Sequence, residues 1–207
     1  MAELAGLLLA AGGSSRLGRA KQLVEHAGEA LVHRAARLLL TQTKAVTVVT
    51  GARSEAVAEA LGTLSVATLH NPHWRAGVGT SIALAMQSVP EDFRGVLILL
   101  CDQYLLEADD LEQLVAGWQA DRTRITAARW ADSFGPPVIF PNRFFPELSQ
   151  LSGDRGARQL LVSQRARVRF VSMPRAAADV DNAADLDRLR ALRGSAQGAL
   201  GDEEPSR

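Results

Sequence analysis

The chain of 207 residues is poor in several things at once: it has one cysteine, one tyrosine, 5% aromatic residues and no net charge. A single thiol, Cys101, cannot close an intrachain disulfide, which points to a reducing compartment rather than a disulfide-stapled secreted fold. Lys and Arg number 23, and so do Asp and Glu. No global field therefore exists to draw in nucleic acid or a membrane surface. No apolar run is long enough to span a bilayer. Met1–Leu9 has neither the basic n-region nor the cleavage site of a signal peptide, so the expected location is the cytoplasm. What remains is 47% hydrophobic and 22% charged. That is an ordinary globular composition, in a chain long enough to bury a sizeable core.

Hydrophobic periodicity divides the chain into alternating strands and helices. Leu4–Ala10 is a buried strand stopped by Gly12 and Gly13. Ala30–Leu40 reads as a helix, Val46–Thr50 as a strand, Ser54–Leu61 as a helix and Val66–Leu69 as a strand. A helix over Thr80–Ser88 stops before Pro90. Val96–Leu100 is the most apolar strand and runs straight into Asp102. A helix over Asp109–Gln119 follows, then strands at Arg124–Trp130 and Pro137–Phe140, and a helix at Asp154–Val162. Val168–Ser172 is a strand, and a helix at Ala183–Leu192 is capped by Asn182. This alternation predicts an α/β fold, a Rossmann-like three-layer sandwich with a mostly parallel sheet covered on both faces. No repeat and no domain linker interrupts it, so residues 1–193 form one expected domain. The Gly-, Ser- and Ala-rich stretch 194–207 is an expected disordered tail.

Chemistry concentrates in Ala10-Ala11-Gly12-Gly13-Ser14-Ser15-Arg16-Leu17-Gly18-Arg19-Ala20-Lys21. Small residues let the backbone approach a polyphosphate, and free N–H groups can then donate to it. Arg16 and Lys21 add cations suited to oxygens that gain charge during phosphoryl transfer. A purely structural turn would need the glycines but has little use for both cations. Two other glycine loops fail on spacing. The dinucleotide fingerprint wants G-x-G-x-x-G, and the P-loop wants Lys and Ser or Thr where Arg19-Ala20 stand.

The segment does resemble L-A-A-G-x-S-x-R-M-G-x-x-K, the signature of the molybdenum-cofactor nucleotidyltransferases. These belong to the wider superfamily that includes sugar-nucleotide pyrophosphorylases, with the nucleotide-diphospho-sugar transferase fold. Leu17 replaces the signature methionine. The resemblance extends through Asn71-Pro72, Trp74, Gly77-Val78-Gly79-Thr80-Ser81, Cys101-Asp102-Gln103, Gly135-Pro136-Pro137-Val138, Gly153-Asp154-Arg155-Gly156-Ala157-Arg158 and Asp179-Val180-Asp181. It implies a Mg²⁺-dependent nucleotidyltransferase with Arg16, Lys21 and Asp102 as catalytic residues. Nucleotide contacts are then expected from Ala10, Ala11, Gly12, Gly13, Ser14 and Lys21. Ser81 and Gly79 are expected near base and ribose, with Asn71 as a weaker candidate. Asp102 and Asp181 are the implied metal ligands, although acids at a helix start are favoured for dipole reasons alone. Gly135, Pro136, Asp154 and Arg158 are the acceptor-side candidates.

Relatives with Ala-Ala-Gly in the loop tend to use CTP and those with Ala-Gly-Gly tend to use GTP, so Ala10-Ala11-Gly12 favours CTP. The implied reaction moves CMP onto the terminal phosphate of molybdopterin and releases pyrophosphate. A phosphate nucleophile is already anionic, which fits the absence of a His-Asp or Cys-His constellation. Transient docking to a molybdoenzyme or its chaperone would follow. Rival readings are a GTP-dependent guanylyltransferase, another sugar- or alcohol-phosphate nucleotidyltransferase, and a non-catalytic accessory protein that carries cofactor to a molybdoenzyme. Tyr104 stands where the family commonly has proline. That leaves a change in the acceptor pocket and a tolerated turn residue as alternatives. Cys101 reads as a small core residue, and Trp74 as a side chain that packs the loop.

Overall fold

A computed structural model describes residues 3–189. The expected tail at 194–207, and the end of the expected helix toward Leu192, lie outside the described residues. The chain order is β1 (Leu4–Ala10), β2 (Glu25–His26), β3 (Glu29–Ala30), α1 (Leu31–Gln42), β4 (Ala45–Thr50), α2 (Ser54–Leu61) and β5 (Ala67–His70). It continues with α3 (Val78–Met86), β6 (Gly95–Leu100), α4 (Ala108–Ala120), β7 (Ile125–Trp130), β8 (Ser133–Pro141), α5 (Phe145–Ser149), α6 (Ala157–Ser163) and β9 (Val168–Ser172). A last helix, α7, covers residues 183–189.

Seven strands make the main sheet in the order β5-β4-β1-β6-β8-β7-β9. β5, β4, β1 and β6 run parallel, β8 is antiparallel to both its neighbours, and β9 is parallel to β7. Every residue of β1 is buried, as expected of a central strand covered on both faces. Its side chains alternate between two cores. Leu4, Leu8 and Ala10 join Val32 and Leu39 of α1, Val57 of α2 and Trp118 of α4 on one face. Ala5, Leu7 and Leu9 join Ile82 of α3, Leu148 of α5 and Leu161 of α6 on the other. This is the three-layer α/β sandwich read from the sequence.

Two boundaries differ from the expected ones for a clear physical reason. β8 begins at Ser133 rather than Pro137, because Pro136 and Pro137 sit where the β7–β8 register shifts between Ala127 and Ala128. A bulge removes the need for the amide donors that proline lacks. α6 begins at Ala157 rather than Asp154. Asp154 and Arg155 lie in the preceding loop, where the Arg155 guanidinium donates to Ser152 Oγ at 3.0 Å. The hairpin β2–β3 and the short α5 were not expected, being too short to show periodicity.

A third apolar cluster lies beyond the sheet's carboxyl edge. It joins Val24, Leu31, Tyr104, Val180, Leu186 and Leu189, with Leu17 of the glycine loop packed against it. Tyr104 is buried and meets the His26 ring edge-on at 5.6 Å between centroids. It sits in the turn after β6 and packs under the C-terminal segment, so the turn residue, one of the two alternatives raised by the sequence, describes it.

Candidate active site

The loop after β1 is shaped by Gln22, a residue the sequence reading passed over. Its side chain is 1% exposed. Its Nε2 donates to the carbonyls of Ala10 at 2.8 Å and Gly12 at 2.6 Å. The Ser14 hydroxyl accepts the Lys21 backbone N–H at 3.1 Å and reaches Gln22 Oε1 at 3.5 Å. The N–H groups of Leu17 and Gly18 both donate to the Ser14 carbonyl, at 3.1 and 3.2 Å. Ser14 takes a positive φ of 52° and Gly18 one of 73°, the left-handed turn conformation. Trp74 packs on the loop as expected. A Cβ on Gly13 would lie 2.8 Å from its indole, so only glycine fits beneath the ring.

The loop delivers Lys21 to two carboxylates. Its ammonium is hydrogen-bonded to Asp102 Oδ2 and, at 3.1 Å, to Asp181 Oδ1. Asp102 follows β6 and is 5% exposed. Burial by itself would lower the Lys21 pKa, but the Asp102 and Asp181 carboxylates outweigh it and hold the ammonium above its ordinary range. Arg16 reaches the same cluster only loosely, at 3.6 Å from Asp181, and its side chain is 78% exposed.

Asp179 joins this group. Ligand atoms of Asp102, Asp179 and Asp181 all lie within 4.8 Å of one another. Burial, followed by the charges of Asp102 and Asp181, pushes the Asp179 carboxyl above its ordinary value. Hard oxygen donors crowded in this way suit a divalent cation such as Mg²⁺, which takes one or two protein carboxylates and fills its shell with water and phosphate oxygens. Asp102 and Asp181, the ligands named from the sequence, are thus brought together, and Asp179 was missed. The signal was the D-x-D spacing. In an extended segment it turns both carboxylates to one side while Val180 is buried on the other. Cys101 is a core thiol whose pKa burial raises, and it is no nucleophile in waiting.

One cavity opens on this cluster and a second adjoins the first. The first, of about 200 Å³, is lined by Ala10, Ala11, Gly12, Lys21, Ser81 and Asp102, with Trp74 and Gln22 among its other walls. The second, of about 410 Å³, is lined by Trp130, Phe134, Gly135, Pro136, Asp154 and Arg158, so all four acceptor-side candidates meet in one place. Leu9, Val78 and Leu100 form walls of both, so the cavities adjoin at the sheet's carboxyl edge, where open α/β sheets bind ligands.

The remaining candidates are placed differently. Asn71 is buried, and its amide is consumed by Thr80 Oγ1 at 2.9 Å, Ser81 Oγ at 3.0 Å and the His73 N–H at 2.9 Å. It organises the start of α3. Gly79 does the same from the other side. A Cβ there would lie 2.6 Å from the Arg155 carbonyl oxygen, and its N–H donates to the Gly153 carbonyl at 2.9 Å. Gly77, with φ of 111°, meets Gly153 even more closely, at 2.2 Å from an added Cβ. These two glycines let the loop bearing Asp154 lie directly on α3. Gln103 is another organiser not foreseen. Its Nε2 ties the end of β6 to the carbonyls of Pro136 at 2.8 Å and Ala176 at 3.0 Å.

Comparison with known proteins gives this arrangement its context. A purine catabolism protein, PucB of Bacillus subtilis, is 30% identical over 77% of this chain and 81% of its own length. A nicotine blue oxidoreductase of Paenarthrobacter nicotinovorans is 32% identical over 75% and 80%. A probable molybdenum cofactor guanylyltransferase of Rhodopirellula baltica is 32% identical over 62% of each chain. Among solved structures, a homologue of Mycobacterium tuberculosis Rv0371c from Mycobacterium sp. strain JC1 superposes with a TM-score of 0.76 at 28% identity, covering 92% and 96% of the two chains. Rv0371c itself, in complex with manganese, gives 0.72 at 26% identity over 90% and 97%. Residues 6–168 match the MobA-like NTP transferase domain, and the chain belongs to that family of nucleotidyltransferases.

Proposed function

We propose that the protein transfers CMP from CTP to the terminal phosphate of molybdopterin, releasing pyrophosphate. The observation that carries the reading is the single position of Lys21. Its ammonium lies between Asp102 and Asp181, in the wall of a cavity that adjoins a second one. A cation there lies beside the α-phosphate of a nucleotide in the first cavity and faces an acceptor phosphate entering from the second.

An acceptor phosphate oxygen forms a bond to the α-phosphorus while the bond from that phosphorus to the bridging oxygen of pyrophosphate breaks. No proton has to be abstracted from the nucleophile. Lys21 balances charge that grows on the transferred phosphoryl oxygens, and Arg16, being exposed, is free to swing onto the leaving pyrophosphate. Loop amides hold the triphosphate, and the two cavities supply proximity and alignment. Mg²⁺, when held by Asp102 and Asp181, supplies further neutralisation of phosphate oxygens. The manganese complex of Rv0371c supports a divalent cation in this family. The Ala10-Ala11-Gly12 sequence supports CTP through the family resemblance, and Ala11 lines the smaller cavity. Molybdopterin is supported by the R. baltica relative's name.

Pyrophosphate release is to be measured with each of the four common nucleoside triphosphates, Mg²⁺ and molybdenum cofactor. Release with CTP alone is the expected result. Release with GTP alone overturns the base assignment, and release only with a sugar or alcohol phosphate overturns the acceptor. Binding of cofactor without any release supports a carrier. Consumption of a nicotinamide cofactor would instead align the chain with its oxidoreductase-named relative.

A further inference from the structure

Gln22 has a buried primary amide, and burying one costs stability unless its donors and acceptor are satisfied. Nothing about packing at this position calls for a glutamine; a methionine would fill the same volume. What the amide does is specific. It holds two carbonyls two residues apart, those of Ala10 and Gly12. The intervening Ala11 carbonyl is held by the Ala52 N–H at 3.0 Å.

In a trans peptide, the C=O of one residue and the N–H of the next point in opposite directions. Fixing the Ala10 and Gly12 carbonyls onto Gln22 therefore turns the Ala11 and Gly13 N–H groups away from it. Among the described residues, the N–H groups of Gly12, Gly13 and Ser14 meet no protein acceptor. Without the clamp, either peptide can rotate and present a carbonyl oxygen where a phosphate oxygen has to lie. Two small residues with no side-chain bulk, Gly12 and Gly13, offer little other resistance to that rotation.

We propose that Gln22 is a positioning residue that aims the loop's amides at the nucleotide's phosphates and keeps the loop's carbonyls out of the anion site. The proposal rests on the transferase reading only in taking the loop as a polyphosphate site, and requires neither CTP nor molybdopterin. Through Ser14, the same amide also fixes where Lys21 leaves the loop, since Ser14 Oγ bridges Gln22 Oε1 and the Lys21 N–H.

Two substitutions separate aiming from packing. Gln22→Met keeps length and bulk but has no donor. Gln22→Glu keeps the shape and sets a carboxyl oxygen against the Ala10 and Gly12 carbonyls. Binding of Mg²⁺-pyrophosphate and of Mg²⁺-CTP to the full chain is to be measured by calorimetry, with melting temperature and acceptor KM measured in parallel. The expected result is weaker binding of both anions, by about tenfold or more, for a lost pair of hydrogen-bond donors. Acceptor KM should stay unchanged. In amide spectra, the Gly13 N–H should shift on adding pyrophosphate to the wild type and not to Gln22→Glu.

Equal anion binding in wild type and both variants overturns the proposal. So does a parallel loss of anion and acceptor binding that follows the loss of melting temperature, which is the mark of a merely structural role. A wild type that binds neither pyrophosphate nor CTP overturns this proposal and the transferase reading together. A wild type that binds pyrophosphate through Gln22 but turns over no molybdopterin retains the proposal and loses only the acceptor.

Discussion

The two cavities are built on opposite principles. The smaller one takes half of its lining from one contiguous stretch, β1 and its loop, and the rest from Trp74, α3 and the end of β6, and it holds a lysine paired in advance with two aspartates. The larger is assembled from α3, the β7–β8 turn and the 154–159 segment, and its walls are mostly apolar and aromatic. Phe134 stacks against Phe170 at 5.2 Å, while the guanidinium of Arg158 lies 5.3 Å from the Phe134 ring. In the proposed reading, charge in the first cavity serves a reacting group common to every nucleoside triphosphate, and shape in the second serves whatever carries the accepting phosphate. One fold thus keeps its chemistry on one side and its choice of partner on the other, and relatives named for different activities are what such a division allows.

The sharpest way to break this contrast is Asp102→Asn. The change removes the carboxylate that Lys21 bonds and one of the two expected cation ligands. Pyrophosphate release should fall by about a thousandfold or more, with little change in acceptor affinity. Equal losses of turnover and acceptor binding would show that the two sides are not separable. Gly77→Ala tests the seam between them. Its Cβ would strike Gly153 at a position with φ of 111°, so we expect a loss of about 2 kcal/mol or more in stability by denaturant titration. Acceptor KM should rise more than nucleotide KM. Phe134→Ala should raise acceptor KM by about tenfold, from lost aromatic contact, and leave CTP KM within about twofold. A matching rise in both would mean that the wall is shared.

The smallest effect belongs to a control that lines neither cavity. Hydrogen bonds from Arg37 are the largest influence on Glu29, opposed by burial, and the net effect holds the carboxyl down to about 2. Because the folded-state pKa lies below the ordinary value of 4.5, the stabilisation is full above that value. It is lost as pH falls from there through about 2. For a partly exposed pair the effect should be no more than about 1 kcal/mol. Arg37→Ala should flatten this part of an acid-unfolding curve and leave both KM values alone.

The same contrast explains what was legible in the sequence. β1, its glycine loop and Lys21 are consecutive, so spacing alone displays them. β6 runs into Asp102, two residues past its end, in the same readable way. Asn71 and Gly79 were assigned to the nucleotide by resemblance alone, and the hydrogen bonds and contacts that the fold gives them, to α3 and the 152–155 loop, are not written in local sequence. The aromatic walls were not legible. Trp130 and Phe134 look like ordinary strand residues until β7 and β8 pair, and the prolines that shape their turn argue locally against a strand. Gln22 and Gln103 were silent for a related reason. A buried amide is defined by the carbonyls it finds, and for Gln103 those lie 33 and 73 residues away.

Lys21 finds its two carboxylates 81 and 160 residues further along the chain, and Leu17 packs against the apolar cluster that contains Val180, Leu186 and Leu189. A ribosome emits the glycine loop first and Asp181 only 160 residues after Lys21, and a domain generally folds as a unit. The nascent chain therefore carries its glycine loop for most of its synthesis without Asp181 and without the apolar cluster that Val180, Leu186 and Leu189 help to form. The Lys21–Asp181 contact and the seat of Leu17 are the last parts of this region to be put in place.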